Sequence, residues 1–251
     1  LADAMGPHLA LNGRVSQLSE MLGLNKRHVS YRIFAGDEVA QIVKDIQRLQ
    51  QENPNKIIII NHNDLSILKE VQNKLAEING VKVELVEANE MKKELNKKGG
   101  EGQRIFLTRV REDISLDNMA EQVMVDGKKI ETGDTREVYM VRYSPDTLSG
   151  HIQASGRMDS TIERLTGTRR KGQYEIAISA DHGRLTRPEK EMFKKALEMQ
   201  GKVETGEVTQ EAAEQAVREA ILTMMGSLSK ETYQRGVFST TTVNRNANSE
   251  K

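Results

Sequence analysis

The chain has 251 residues, enough for one large domain or for one domain with an appendage. Its 37 basic and 37 acidic residues cancel, so any attraction to nucleic acid must come from local patches rather than from net charge. It contains no cysteine, which excludes disulfides, cysteine-zinc sites and thiol nucleophiles. The longest uninterrupted apolar run is residues 57–60, so neither a signal peptide nor a membrane span is predicted. We therefore expect a cytoplasmic protein without membrane partners.

Strand and helix patterns alternate over the first half of the chain. Residues 28–34 alternate and are rich in β-formers, and Asp37 can cap the helix that follows them. Residues 56–61 are apolar on both faces, as in a strand inside a parallel sheet, and Asn63 or Asp64 can cap the next helix. The following segment, 81–86, alternates in polarity, which predicts a strand nearer the edge of that sheet.

The same alternation continues towards the middle of the chain. Further strands are predicted at 104–108, 121–125, 128–134, 137–143 and 173–178, with the second and third forming a hairpin. Alternating strands and helices indicate an α/β fold with a mainly parallel sheet and right-handed crossovers. The fold class that we predict is therefore α/β, with flanking helices and a C-terminal helical extension.

The pattern changes after the last predicted strand. Two helical stripes follow it, and the polar end of the chain predicts a disordered tail. The domains that we infer are a lead-in at 1–27, the α/β domain at 28–185, a helical extension at 186–238 and the tail at 239–251.

One stretch, 153–160, carries a pattern suited to phosphate chemistry. Gly156 stands beside Arg157, so the backbone can approach an anion that the guanidinium then clamps. An ordinary surface turn is the alternative interpretation of such a pair. The position of the stretch 153–160 after two other segments of the chain favours phosphate binding over an ordinary turn.

Three segments carry a resemblance through their order and spacing. They are the strand 56–61 with His62 and Asn63 after it, the stretch 106–117 with an Asp-Gly turn at 126–127, and the stretch 144–157 with the form Gln-x-x-Gly-Arg. In this order they resemble the second RecA-like domain of superfamily 2 helicases, and within it the flavivirus-like and potyvirus-like viral RNA helicases. The resemblance covers roughly 28–182.

The resemblance implies a domain that closes over a nucleotide held by a separate N-terminal RecA-like domain, with ATP and Mg²⁺ at their interface. Gln153 and Arg157 would then be catalytic, contacting the attacking water and the γ-phosphate. Gly156 would allow close approach to the nucleotide, and Glu112 would lie on the ribose or phosphate side of the cleft. No metal is assigned to this chain itself, because its histidines have no partners at metal-ligand spacing.

The ends of two predicted strands supply candidates for binding RNA or another single-stranded nucleic acid. Asn61, His62, Thr108 and Arg109 carry amide, imidazole, hydroxyl and guanidinium groups, which commonly position a phosphate backbone. For His62, an ordinary loop histidine is the more common alternative.

Two departures from the family pattern bear on catalysis. Ser160 occupies the position of the second motif VI arginine, and no glycine follows Glu112. The chain also has no phosphate loop of the form G-x-x-x-x-G-K-[ST]. We therefore expect it to act as an ATPase or helicase only with another domain. Its first residue, Leu1, is consistent with a piece of a longer chain. The alternatives are a catalytically degenerate, helicase-like binding module and one half of a protein-translocating ATPase.

Overall fold

A computed structural model describes residues 29–247 apart from 79, 88–89, 92–93, 95–101, 110–120, 127, 133–136, 149 and 152–172. The strands are β1 (Val29–Phe34), β2 (Ile57–His62), β3 (Val83–Val86), β4 (Ile105–Arg109), β5 (Glu121–Val125), β6 (Lys128–Thr132), β7 (Val138–Arg142) and β8 (Gln173–Ser179). The helices are α1 (Glu38–Glu52), α2 (Leu65–Ala76), α3 (Arg187–Val203) and α4 (Gln210–Ala247).

Six of the strands form one parallel sheet in the order β1-β8-β7-β2-β4-β3. β5 and β6 form a separate antiparallel hairpin, as their spacing predicted. The four helices flank the large sheet, so the predicted α/β fold with a mainly parallel sheet is confirmed, and it is consistent with a RecA-like domain. The edge position predicted for β3 is also confirmed.

β2 lies inside the sheet, and its two faces feed two different cores. All six of its residues are buried. Ile57 and Ile59 pack into the cluster that contains residues of α3 and α4, whereas Ile58 and Ile60 pack into the cluster that contains residues of α1 and α2. The uninterrupted apolar run is therefore explained by burial on both sides, as expected for an interior parallel strand.

The helix starts are fixed where the strands end. Asp37 accepts the backbone N–H of Val39 at 3.0 Å and caps α1, and Asp64 accepts that of Ser66 at 2.8 Å and caps α2. The cap of α2 is thus Asp64, one of the two candidates from the sequence. These caps direct each chain segment from the carboxyl end of a strand straight into a helix that packs back onto the sheet.

A buried ion-pair network ties α1 to the strands beneath it. Arg32 of β1 binds both Asp45 of α1 and Glu175 of β8. Tyr143 donates its hydroxyl to Asp45 at 2.7 Å, and Tyr139 donates to Glu175 at 2.9 Å. Burial and the neighbouring carboxylates raise the pKa of both tyrosines, which therefore stay protonated as donors.

The C-terminal helices share their core with the sheet. Phe193 of α3 and Ile221 of α4 are fully buried, and both belong to the same cluster as Ile59. The helical extension inferred at 186–238 therefore packs on one face of the sheet through α3 and the first part of α4. α4 also continues to Ala247, past the predicted start of the tail at 239, since no proline or glycine occurs after Gly236 to end it.

Replacement of Ile221 by alanine tests this shared core. We expect a loss of about 2–5 kcal/mol in the free energy of unfolding, because the cavity would open between α4 and the sheet. Met192, a large apolar side chain that is 37% exposed, supplies the control, and Met192→Ala should change stability by less than about 0.5 kcal/mol. Urea unfolding followed by circular dichroism makes the measurement. Equal stability of the two variants would contradict a shared core.

Candidate functional site

The four residues predicted to bind nucleic acid come together at the carboxyl ends of two adjacent strands. Asn61 is paired with Thr108, and His62 with Arg109, in the register of β2 and β4. Asn61, His62 and Thr108 are only 6%, 7% and 1% exposed, whereas Arg109 is exposed. Arg109 is therefore the member of the group whose side chain lies on the surface.

Hydrogen bonds at these strand ends hold the group in place. The Asn61 amide donates to the Thr108 carbonyl at 3.4 Å, and Arg109 Nε donates to the Asn63 carbonyl at 3.1 Å. His62 Nδ1 accepts the backbone N–H of Asp64 at 2.8 Å. The side chains of Asn61, His62 and Arg109 thus each form a hydrogen bond with the backbone at these strand ends.

A buried polar row crosses the sheet at the same level. Asn61 is paired with Thr108 on one side and with Arg142 of β7 on the other. Thr108 Oγ1 and Arg142 Nε are buried and make no hydrogen bond within the described part of the chain. Unpaired buried polar atoms are rare in folded proteins and often mark a functional region.

Arg142 is held by a carboxylate four residues further on. Its Nη1 lies 2.7 Å from Asp146 Oδ2, and both side chains are buried. Asp146 also accepts the backbone N–H of Thr147 at 2.7 Å. A Cβ atom at Gly150 would lie 2.4 Å from Asp146 Oδ2, so only glycine fits beside the immobilised carboxylate. This ion pair therefore fixes the turn that leaves β7.

His151 anchors the segment one residue later. It shares a hydrogen bond of 2.9 Å with the Tyr31 hydroxyl and stacks on Tyr174 with ring centroids 5.9 Å apart. Burial, followed by the charges of Arg142 and Arg218, lowers the pKa of His151 from 6.5 to about 4. The imidazole is therefore neutral at pH 7.

The candidates for nucleotide chemistry follow directly after this anchor. Gln153, Gly156 and Arg157 lie outside the described residues, and so does Glu112. The structure fixes the chain up to His151, two positions before Gln153. The positions of these four residues relative to one another stay a prediction.

A cleft of about 440 Å³ opens at the carboxyl ends of β1, β2, β7 and β8. Its lining includes Glu38, His62, Ser144, Asp181 and His182. Ligands of open α/β sheets gather in this position. Sequence reasoning identified only His62 among these five as a candidate, because the strand order that brings Glu38 to the others is not visible in local spacing.

The two histidines of the cleft share one arrangement. His182 Nδ1 accepts the backbone N–H of Arg184 at 3.2 Å, as His62 Nδ1 accepts that of Asp64. Each ring therefore carries its proton on Nε2 when neutral. Burial lowers the pKa of His182, so this ring is neutral at pH 7. Neither ring keeps a free lone pair with which to act as a general base.

Glu38 lies at the centre of this arrangement. Its Oε1 is 3.3 Å from His62 Nε2, but the atom is buried and makes no hydrogen bond of acceptable geometry within the described residues. Across the parts of the chain that are described, no three carboxylate, imidazole or thiol groups come together as ligands for a metal ion.

Comparisons with known proteins do not assign the chain to a family. No protein-family model matches the chain, and no curated protein matches it significantly. Over the residues that the structure describes, no helix is both long enough and apolar enough to cross a membrane.

The buried imidazole of His151 predicts a pH dependence of stability. Its pKa is lower in the folded chain, about 4, than its ordinary value of 6.5, so the unfolded chain binds the extra proton between these values. Stability from this group is present above pH 6.5 and is lost as the pH falls to 4, by up to about 3 kcal/mol. The variant His151→Phe keeps a ring against Tyr174 and cannot titrate.

We expect the unfolding free energy of the parent chain to fall more steeply than that of His151→Phe between pH 6.5 and 4. Urea titrations at several pH values measure the difference. Parallel curves for the two proteins would rule out a buried, neutral His151.

Proposed function

We propose that the chain is the C-terminal motor domain of an ATP-dependent RNA helicase of the RecA-like type. It closes over ATP and Mg²⁺ held by a separate N-terminal RecA-like domain and grips the backbone of RNA, in the cytoplasm. One observation supports this most strongly. The ends of β4, β2 and β7 lie side by side, so the nucleic-acid candidates and the segment leading to Gln153 leave the same edge of one sheet.

In this proposal, Arg109 makes the phosphate contact. Its guanidinium is exposed and is oriented by the Asn63 carbonyl. Asn61, His62 and Thr108 act by holding the strand end beneath it, since their side chains are buried. A fixed, exposed guanidinium beside a rigid strand end suits a phosphate oxygen better than a mobile one, because less side-chain freedom is lost on binding.

Gln153 and Arg157 supply the nucleotide chemistry in the same proposal, with Gly156 and Glu112 beside the nucleotide. The support comes from the anchor that precedes them. The Arg142–Asp146 ion pair and the buried His151 hold the chain firmly just before this segment begins. A catalytic arginine needs such support, because small displacements of a positioned group cost much of its effect.

A second candidate is a helicase-like binding module without turnover. It is favoured by Ser160, which stands where the family has the second arginine of motif VI. An arginine that stabilises the transferred phosphoryl group contributes several orders of magnitude in rate. Both candidates share nucleic-acid binding by Arg109, and they differ in ATP hydrolysis.

Substitution of Arg109 by alanine tests the shared part of the proposal on this chain alone. We expect weaker binding to a fluorescently labelled single-stranded RNA, and a dependence of log affinity on log salt concentration whose slope is smaller by about 1. Fluorescence anisotropy at several salt concentrations measures both. Arg48→Ala, which removes an arginine near the far end of α1, is the matched control and should bind as the parent does. Equal salt slopes for Arg109→Ala and the parent would count against a phosphate contact.

Substitutions at Arg157 and Ser160 distinguish a helicase motor domain from a binding module without ATP turnover. In a protein that also contains the nucleotide-binding domain, Arg157→Ala should lower RNA-stimulated ATP hydrolysis by at least about 100-fold if the chain is a motor. Ser160→Arg should raise hydrolysis by at least about tenfold if one missing charge limits the rate. RNA affinity is measured alongside, and it should change little in either variant. Unchanged turnover in Arg157→Ala would remove the motor assignment.

A further inference from the structure

The cleft beside Glu38 contains unused hydrogen-bonding groups of both kinds. Within the described residues, Glu38 Oε1 is a buried acceptor that makes no hydrogen bond, and it lies 3.3 Å from Nε2 of His62, which is 7% exposed. Because His62 Nδ1 already accepts the Asp64 N–H, the N–H at Nε2 is a donor. The Nε2 donor and the Oε1 acceptor lie 3.3 Å apart, so each can meet a separate atom of one ligand.

More donors surround this pair. His182 also keeps its proton on Nε2, since its Nδ1 accepts a backbone N–H. Ser144 Oγ accepts the N–H of Asn63 at 2.6 Å, and Ser179 Oγ accepts that of Asp181 at 3.2 Å. A hydroxyl that accepts one hydrogen bond can also donate its proton to a ligand. The site thus has one strong acceptor among several neutral donors.

The charges of the lining argue against an anion. Three carboxylates, those of Glu38, Asp64 and Asp181, face one guanidinium, that of Arg184. The N-terminal ends of α1 and α2 point towards the cleft, but each is capped by an aspartate, Asp37 or Asp64. A phosphate group would meet net negative charge here, so a neutral ligand is favoured.

We propose that the cleft binds a neutral vicinal diol, such as the paired hydroxyls of a ribose or another sugar. A hydroxyl group can donate or accept, so one hydroxyl of the diol donates to Glu38 Oε1 and its neighbour accepts from His62 Nε2, 3.3 Å away. The neighbouring hydroxyl accepts from His182 Nε2 or Ser144. A carboxylate at a strand end commonly holds ribose hydroxyls in this way, and about 440 Å³ accommodates a sugar or a nucleoside. This inference does not depend on the helicase proposal, because Arg109 and Arg157 take no part in it.

Proton NMR of the histidine rings provides a test at the site itself, since the chain has only five histidines. The probe is methyl β-D-ribofuranoside, titrated into the chain. We expect the Cε1–H signals of His62 and His182 to shift, and the 2-deoxy analogue to bind at least about tenfold more weakly because it lacks one hydroxyl.

Two variants and a control complete the design. Glu38→Ala removes the acceptor, and His182→Ala removes a donor; each should weaken binding of the riboside at least about fivefold. Glu198→Ala removes the same charge from an exposed position on α3 and should bind as the parent does. Thermal unfolding checks that each variant is folded, and His182→Ala keeps the test decisive if Glu38→Ala is unstable.

The source of the diol is distinguished by a short RNA with a free 3′-terminal ribose. Stronger shifts with this RNA than with the monosaccharide identify an RNA end as the ligand, and shifts with the monosaccharide alone identify a free sugar. Equal binding of the 2-deoxy analogue or of N-acetylglycinamide would overturn the proposal. So would unchanged binding by both Glu38→Ala and His182→Ala, or shifts caused by inorganic phosphate rather than by the riboside.

Discussion

Burial of β2 on both faces and both edges is the constraint on which the rest of the structure depends. β7 and β4 pair with its two edges, and separate clusters of apolar side chains cover its two faces. Since no part of this strand can shift without breaking a ladder or opening a cavity, its carboxyl end is a fixed point. Asn61 and His62 lie at that point. It therefore holds in place the polar row towards Thr108 and Arg142 and one side of the cleft around Glu38.

Much of this architecture can be predicted from local sequence patterns, whereas the arrangement of the cleft cannot. The double-sided apolar run 57–60 predicts an interior strand, and Asp37 predicts the start of α1, because both effects act within a few residues. The cleft instead joins Glu38 and His182 from distant parts of the chain, and they line it together because β8 inserts between β1 and β7. Strand order depends on tertiary packing, which spacing along the chain does not encode.

Two buried charge networks lie on opposite faces of the sheet. Arg32 satisfies Asp45 and Glu175 on the α1 face, and Arg142 satisfies Asp146 on the other. Removing one partner of such a pair leaves a buried charge, which costs far more than the pair contributes. The network at Arg32 therefore penalises any other register of β1 against β8. The network at Arg32 fixes β1 and β8 under α1, and the network at Arg142 fixes the exit from β7.

The side chains along the carboxyl edge of the sheet differ in charge from one side of the sheet to the other. Arg109 stands at the end of β4, whereas Glu38 and Asp181 stand beyond the ends of β1 and β8, on the far side of β7. A chain of phosphates crossing this edge is attracted at one side and repelled at the other. Under the proposal that Arg109 contacts RNA, we therefore expect the phosphate backbone to follow the edge from β4 towards β7 and to turn away from the sheet before β8.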